Sequence, residues 1–324
     1  MRRKGSPWQG LGTVFAKELA DHVSSARMLV LEILFLLIGC VVVYFAIDQI
    51  RQTTAEDPFV LLKLFTAGRS SLLSLLAILG ILIPLVAIGL GFDAVNGEHN
   101  RRTLSRILSQ PIYRDALLAG KFLAALATLG ISLVCLWLLV IGLGIILLGV
   151  PPSGEEIVRS LAFLFVTLAY AGIWLALAIL FSIIFRSAAT AALVALGLWL
   201  FLTLIWPMLA PAFANVISPP DVRYLLVGVP SPNTAAWERA LNSISPNQLY
   251  GEAAAALLAP EARAVGTTDY IGYLTQLQGA IRGSVLPLKE SLAIAWPQTV
   301  SLIAGVIVLF VAGYVVFQRQ EVRA

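Results

Sequence analysis

The stretch FLAALATLGISLVCLWLLVIGLGIILLG, residues 122–149, runs for 28 positions without a charged side chain. A helix of about 20 such residues crosses about 30 Å of hydrocarbon at 1.5 Å per residue. The run therefore reads as a membrane span, with enough surplus to tilt or to project beyond the bilayer. Five other stretches meet the same test, at about 28–47, 71–92, 158–185, 188–209 and 296–317. Composition agrees, since 59% of the 324 residues are hydrophobic and 12% charged, against roughly 45–50% and about 25% in soluble domains. Lipid solvates apolar surface that water does not, so the excess implies several spans rather than one large core. The expected fold is all-α, a polytopic membrane protein with six transmembrane helices. Arg186 and Ser187 leave almost no loop between the fourth and fifth spans, which must form a tight helical hairpin.

Orientation follows from Lys and Arg in short loops, because basic segments are retained in the cytoplasm. An even number of spans puts both termini on one side. That side holds Arg2, Arg3, Lys4, Lys17, Arg27, Arg101, Arg102, Arg106, Arg114, Lys121, Arg186, Arg319 and Arg323, which is 13 of the 22 basic residues. Its acids are Glu18, Asp21, Asp93, Glu98, Asp115 and Glu321, so it is strongly positive and both termini are expected in the cytoplasm. No cleavable signal is expected, because Arg2, Arg3 and Lys4 precede a polar stretch and the first apolar run is of spanning length. Cys40 and Cys135 both lie in apolar runs, which excludes a disulfide framework and gives no zinc or redox spacing. A net charge of +4 is too small to suggest nucleic acid in so large a chain.

Two segments outside the spans carry patterns. In residues 6–27, Trp8, Leu11, Val14, Phe15, Leu19, Val23 and Ala26 recur at helical spacing and form one apolar stripe. This predicts an interfacial helix, either a lead-in to the first span or a lipid-sensing element. Ser6, Pro7 and Gln9 have the form of an N-terminal cap, while Gly10 and Gly12 weaken the first turn. Residues 93–121 form a long charged segment on the cytoplasmic side. Leu104, Ile107 and Leu108 share a helical face rimmed by arginines, Pro111 ends that helix, and a second helix can start near Arg114. Such a helix suits docking of a soluble partner; the alternative is an ordinary positive loop.

Here the chain resembles a family. Glu98, the Thr103-Leu104 pair, Leu108, Pro111, Arg114 and the Gly120-Lys121 pair are similar to the motif between the second and third spans of type-2 ABC transporter permeases. The lead-in helix, with Lys17-Glu18 and Asp21, resembles that family's N-terminal elbow helix, and the nearest group is that of the nitrous-oxide-reductase maturation and gliding-motility permeases. Arg102 departs from the pattern, standing where many members have glycine. The resemblance implies that residues 1–27 hold a cytoplasmic tip and elbow helix, and that 93–121 is a coupling segment touching a separate ATPase. Its docking residues would be Glu98, Arg102, Thr103, Leu104, Leu108, Pro111 and Arg114. It also implies export, a bacterial or archaeal cytoplasmic membrane, and a second copy of the chain or a related permease as partner, with lipid around them.

Residues 210–295 are too long for a simple connection and alternate proline-marked turns with short helical runs. They are expected to form a small extracytoplasmic helical domain, with Leu249, Ala253, Ala256 and Leu257 packed on a neighbour or the membrane. The last span and a cytoplasmic tail then occupy 296–324. Glu32 lies within the first span, where an ionisable group is expensive. It either snorkels toward Arg27 and the headgroups or takes part in the pathway or its gate. Pro84 and Pro207 are expected to kink their spans, and Ala87 with Gly91 and Gly142 with Gly144 to permit close helix packing. Glu155 and Glu156 read as solvated turn charges.

Enzyme chemistry has little support. A phosphate loop is absent, because Asp115 stands at the first glycine position relative to Gly120-Lys121 and Phe122 replaces the hydroxyl residue. His22 and His99 are isolated, and no zinc-protease or serine-hydrolase motif occurs. No cofactor is expected in this chain, and ATP with magnesium would be bound by the partner ATPase. The reading is a permease subunit of an ATP-driven transporter working by alternating access. The alternatives are an ATP-independent carrier and a scaffold that anchors a soluble complex.

Overall fold

The computed structural model describes residues 10–52, 59–67, 74–100, 113–219, 231–259 and 286–319, and there is no β-strand among them. The helices are α1 (Leu11–Val23), α2 (Ala26–Gln52), α3 (Lys63–Thr66), α4 (Leu75–Gly91), α5 (Asn96–Asn100), α6 (Arg114–Leu148), α7 (Gly154–Ile184), α8 (Ala188–Leu200), α9 (Trp206–Ile217), α10 (Pro232–Asn242), α11 (Pro246–Leu258) and α12 (Leu288–Arg319). Among the described residues, six stretches are long and apolar enough to cross a membrane: Met28–Arg51, Leu75–Glu98, Arg114–Leu148, Gly154–Ile184, Ala188–Ile217 and Leu288–Arg319. These are the six spans the hydropathy pattern predicts.

Several run longer than apolarity alone indicates. The helix expected to start near Arg114 is not a separate element, since α6 continues unbroken from Arg114 to Leu148. Its 35 residues extend about 52 Å, so roughly four turns lie beyond a 30 Å hydrocarbon layer. Gly149, at φ 72°, stops it in the left-handed cap that glycine adopts without strain. The lead-in helix is present as α1 and starts after Gly10, itself left-handed at φ 91°; Ser6, Pro7 and Gln9 lie outside the described residues.

Span four, α7, is the hub of the bundle and packs against α4, α6, α8, α11 and α12. Its buried face includes Phe163, Val166, Tyr170, Trp174, Leu177 and Ile183. Gly91 explains how closely α4 approaches it, because a Cβ there would stand 2.8 Å from the Ala178 Cβ and 3.2 Å from the Leu175 carbonyl oxygen. Outward, α2 exposes Leu29, Val30, Ile33, Leu37 and Tyr44, and the fifth span exposes Leu193, Leu204, Met208 and Val216. Apolar surface of this kind is at home in lipid or against another apolar helix.

Pro84 and Pro207, the prolines expected to kink their spans, are each served by a hydroxyl from a neighbouring segment. Pro84 has no N–H, so the Gly80 carbonyl loses its helical partner; the Tyr170 hydroxyl donates to that oxygen at 2.9 Å. In span five a π-helical turn, Phe201–Ile205, joins α8 to α9, and the Trp206 N–H reaches back to Phe201. The next carbonyl, Leu202, would need an N–H from Pro207. Instead the Ser245 hydroxyl donates to it at 2.9 Å, and the Trp206 indole donates to Leu241 at 2.8 Å. Both irregularities are thereby satisfied inside the protein, as a low-dielectric setting requires.

The described helices enter the expected 210–295 segment from both ends. Span five remains helical to Ile217 and span six begins at Leu288. Between them, α11 does not build a core of its own. Leu249, Tyr250, Ala253, Ala256 and Leu257 belong to the same hydrophobic core as the spans, and the Tyr250 ring stacks on Tyr170 of α7 with centroids 4.5 Å apart. The helical spacing of Leu249, Ala253, Ala256 and Leu257 correctly marks a packing face, and the neighbour it meets is the bundle.

Candidate functional site

The N-terminal arm of the predicted docking segment is α5, a short helix set at a corner below α4. The corner is fastened to the far end of span four. Ser182 Oγ accepts from the Val95 and Asn96 backbone N–H groups at 2.9 and 3.1 Å. The Asn96 side chain donates to the carbonyls of Phe92 and Phe185 at 3.2 and 3.3 Å, and Asn100 Nδ2 donates to Arg186 at 3.2 Å. The tight turn at Arg186 and Ser187 thus supports the segment before it enters residues 101–112.

Glu98 then meets Lys121. The Lys121 ammonium, on a side chain only 6% exposed, lies 2.7 Å from Glu98 Oε1 and 3.1 Å from Glu18 Oε1. One cation therefore joins α5, α6 and α1. The preceding glycine makes the approach possible, since a Cβ on Gly120 would stand 2.6 Å from Val14 Cγ1 and 2.9 Å from its Cβ. The Gly120-Lys121 pair has a physical meaning that the phosphate-loop comparison missed: the glycine admits the α1 surface and the lysine crosses beside it. Glu18 also takes Lys17 at 3.1 Å, and Lys17 bridges to Asp21 at 3.1 Å.

These charges govern protonation at the surface of α1. Burial disfavours the ionised form of Glu18, but Lys121 and Lys17 outweigh it and hold the carboxyl below its ordinary value. Burial likewise works against the Lys17 ammonium, and Asp21 and Glu18 overcome it, so its pKa is raised. His22 is held below its ordinary 6.5, chiefly because burial disfavours the imidazolium.

The C-terminal arm of the segment is anchored separately. Arg114 Nη1 donates to the Phe317 and Gln318 carbonyls at 3.4 and 3.5 Å, and its guanidinium lies 6.0 Å from the Phe317 ring centroid. Gln318 Nε2 also donates to Asp115. The start of span three is therefore tied to the end of span six, and α1 and the end of α12 lie at the same end of the bundle. Of the predicted docking residues, the structure places Glu98 and Arg114; Arg102, Thr103, Leu104, Leu108 and Pro111 lie outside the described residues. Glu32 is half-buried and lines a cleft between α2, α4 and α6 with Phe35, Ile83 and Ser132. The side chain of Arg27, its expected neighbour, also lies outside the described residues.

A second buried cation sits at the opposite end. Arg159 is fully buried and donates to Glu155 Oε1 through Nε and Nη2 at 2.9 and 2.7 Å. It also donates to Ser291 Oγ at 2.8 Å and to the Leu286 and Leu257 carbonyls at 2.6 and 3.4 Å. Phe59 lies 5.3 Å below its guanidinium. Glu156 is not a solvated turn charge either. It completes a capping box with Ser153 at the start of α7 and accepts from the Leu61 N–H at 2.9 Å. The S-x-x-E spacing of Ser153 and Glu156, and the four-residue step from Glu155 to Arg159, were visible signals for both.

Comparison with known proteins accords with this architecture. Residues 12–322 match the family model described as ABC-2 family transporter protein. A protein of Pseudomonas aeruginosa (strain PAO1) named probable ABC transporter permease protein NosY is 30% identical over 244 residues, covering 74% of this chain and 78% of the relative. One of the same name from Stutzerimonas stutzeri is 23% identical over 310 residues, covering 94% of this chain and 96% of the relative. A family match running from the lead-in helix through all six spans establishes that the chain belongs to the ABC-2 family of transporter proteins, as a non-catalytic, membrane-spanning permease subunit.

Proposed function

We propose that this permease is half of an ATP-driven exporter that works by alternating access, with a separate ATPase docking on the segment between Asn96 and Arg114. The ATPase supplies the ATP and magnesium site. Two permease chains enclose the pathway between them, and the apolar faces of α2 and the fifth span are available for that contact and for lipid. Both termini face the cytoplasm of a bacterium or archaeon, following the basic charge of that end.

The observation that carries this reading is the anchorage of the docking segment at both of its arms. Glu98 is tied to Lys121 and through it to α1, while Arg114 is tied to the end of span six. A push on the residues between is therefore delivered to the second, third and sixth spans together, which a free loop could not do. Glu32, turned into a cleft beside Ser132, belongs in this reading to the pathway or its gate.

The test is to purify the tagged chain from its native membrane in mild detergent, identify what accompanies it and weigh the complex. The expected result is an ATPase with two permease copies, lost on Leu104→Asp or Leu108→Asp. A complex without any nucleotide-binding partner would replace this reading with an independent carrier or a scaffold.

A further inference from the structure

We infer that Lys121 is a positioning residue for energy coupling: it clamps the docking segment, the lead-in helix and the base of span three into one body that moves together when ATP binds. The inference rests on the proposed docking of an ATPase at residues 96–114.

The argument starts from where the charge sits. An ammonium that is 6% exposed has lost most of its hydration and is held there by carboxylates on two other elements, Glu18 at 3.1 Å and Glu98 at 2.7 Å. Both carboxylates are themselves mostly covered, at 14% and 16% exposure. Taking ions out of water is expensive, so a buried ion pair of this kind is weak evidence of net stability. A hydrophobic residue would fill the same space between α1, α5 and α6 without fixing their relative positions. The ion triad makes sliding of any one element cost an ionic contact in a mostly covered site.

The surroundings lead to the same conclusion. Contact between α1 and α6 is close because Gly120 has no side chain to hold Val14 away. Contact between α1 and α2, its neighbour in sequence, is slight by comparison. The lead-in helix is therefore mounted on span three, not on the span it precedes. Glu98 lies just beyond the corner that Ser182 and Asn96 fasten to span four. A displacement entering at residues 101–112 reaches Glu98 at one arm and Arg114 at the other, and from Glu98 the Lys121 ammonium passes it to α1 as well as to α6.

The test separates holding from transmitting. Lys121→Met alone takes the cation away from two mostly covered carboxylates and is expected to loosen the fold, so the informative variant is the neutral triple Glu18→Gln, Glu98→Gln and Lys121→Met. Nitroxides are placed at Val23→Cys, which is 58% exposed, in a background with Cys40 and Cys135 changed to alanine. Pulsed electron resonance then reads the distance between the two labelled chains in the ATPase complex, without nucleotide and after trapping with ATP and vanadate. The expected result is that the triple variant retains the ATPase but its ATP-dependent shift falls at least twofold, while Lys121→Arg with both glutamates intact keeps the full shift. A full shift in the triple variant overturns the inference and leaves Lys121 a merely structural group. An unsubstituted complex that holds the ATPase but shows no shift at Val23 also overturns it, because the lead-in helix then does not follow the ATPase. Failure of the unsubstituted chain to retain any ATPase defeats the docking reading itself, and the inference falls with it.

Discussion

Each end of the bundle buries one cation that joins several segments, yet Lys121 and Arg159 do so by different means. Lys121 meets two carboxylates from two other helices, so its contacts are ionic and weakly directional. Arg159 meets one carboxylate, from its own helix, and otherwise gives its planar set of donors to Ser291 and to the Leu257 and Leu286 carbonyls. A guanidinium fixes direction, whereas an ammonium is a point charge that tolerates rotation about it. The Arg159 end is thus held by directional hydrogen bonds from one guanidinium, and the three elements at the Lys121 end are held together by charge.

The sharpest way to break the comparison is Arg159→Lys. If direction matters at that end, keeping the charge will not keep the contacts, and thermal unfolding in detergent should show a loss of about 2 kcal/mol, in the range for buried acceptors that lose a charged donor. A loss similar to that of Lys121→Arg, expected below about 1 kcal/mol, would make the two ends equivalent. Packing at the basic end is tested next by Gly120→Ala, whose methyl would enter the space of Val14. Overpacking of this kind costs about 1–3 kcal/mol, whereas Gly142→Ala, with no atom within 4 Å of its Cβ, should stay within about 0.5 kcal/mol of the parent.

A smaller effect is expected at the middle of the bundle. Tyr170→Phe removes the donor to the Gly80 carbonyl and should lower stability by about 1 kcal/mol, read by the same unfolding assay. The smallest is a pH effect confined to the basic end. Burial holds His22 below 6.5 in the folded chain, so the unfolded form takes up the proton first. The stability this contributes is present above pH 6.5 and is lost as pH falls through 6.5 toward the folded value. Protection factors of the α1 amides, corrected for the intrinsic exchange rate at each pH, should fall on acidification through this window, and His22→Gln should flatten the response.

The number of spans and the lead-in helix were legible because each depends on local quantities: the length of an apolar run, or the period of a stripe. Legibility failed where a residue's role depends on partners distant in sequence. Glu155 and Glu156 looked like turn charges in a polar stretch, although Ser153 three residues before Glu156 marked a helix start. Prolines mark the turns within residues 210–295, but nothing local says that Tyr250 stacks on Tyr170. The docking motif drew attention to Glu98 and Gly120-Lys121 as a pattern, but it could not show that the lysine reaches back to Glu18 across 103 positions of chain.

The sequence by itself therefore determined the class of molecule: six apolar runs of spanning length, a basic end, and a motif shared with a permease family. Hydrocarbon tolerates few charges and no unpaired backbone, so composition along the chain is enough to state where the helices cross. Only the tertiary structure decided which polar groups meet. Ser245 supports the Leu202 carbonyl beside Pro207, Tyr170 supports Gly80 beside Pro84, and Lys121 and Arg159 gather their partners from distant segments. Those pairings arise from helix packing, because a buried polar group must find its partner wherever the packed neighbour happens to present one.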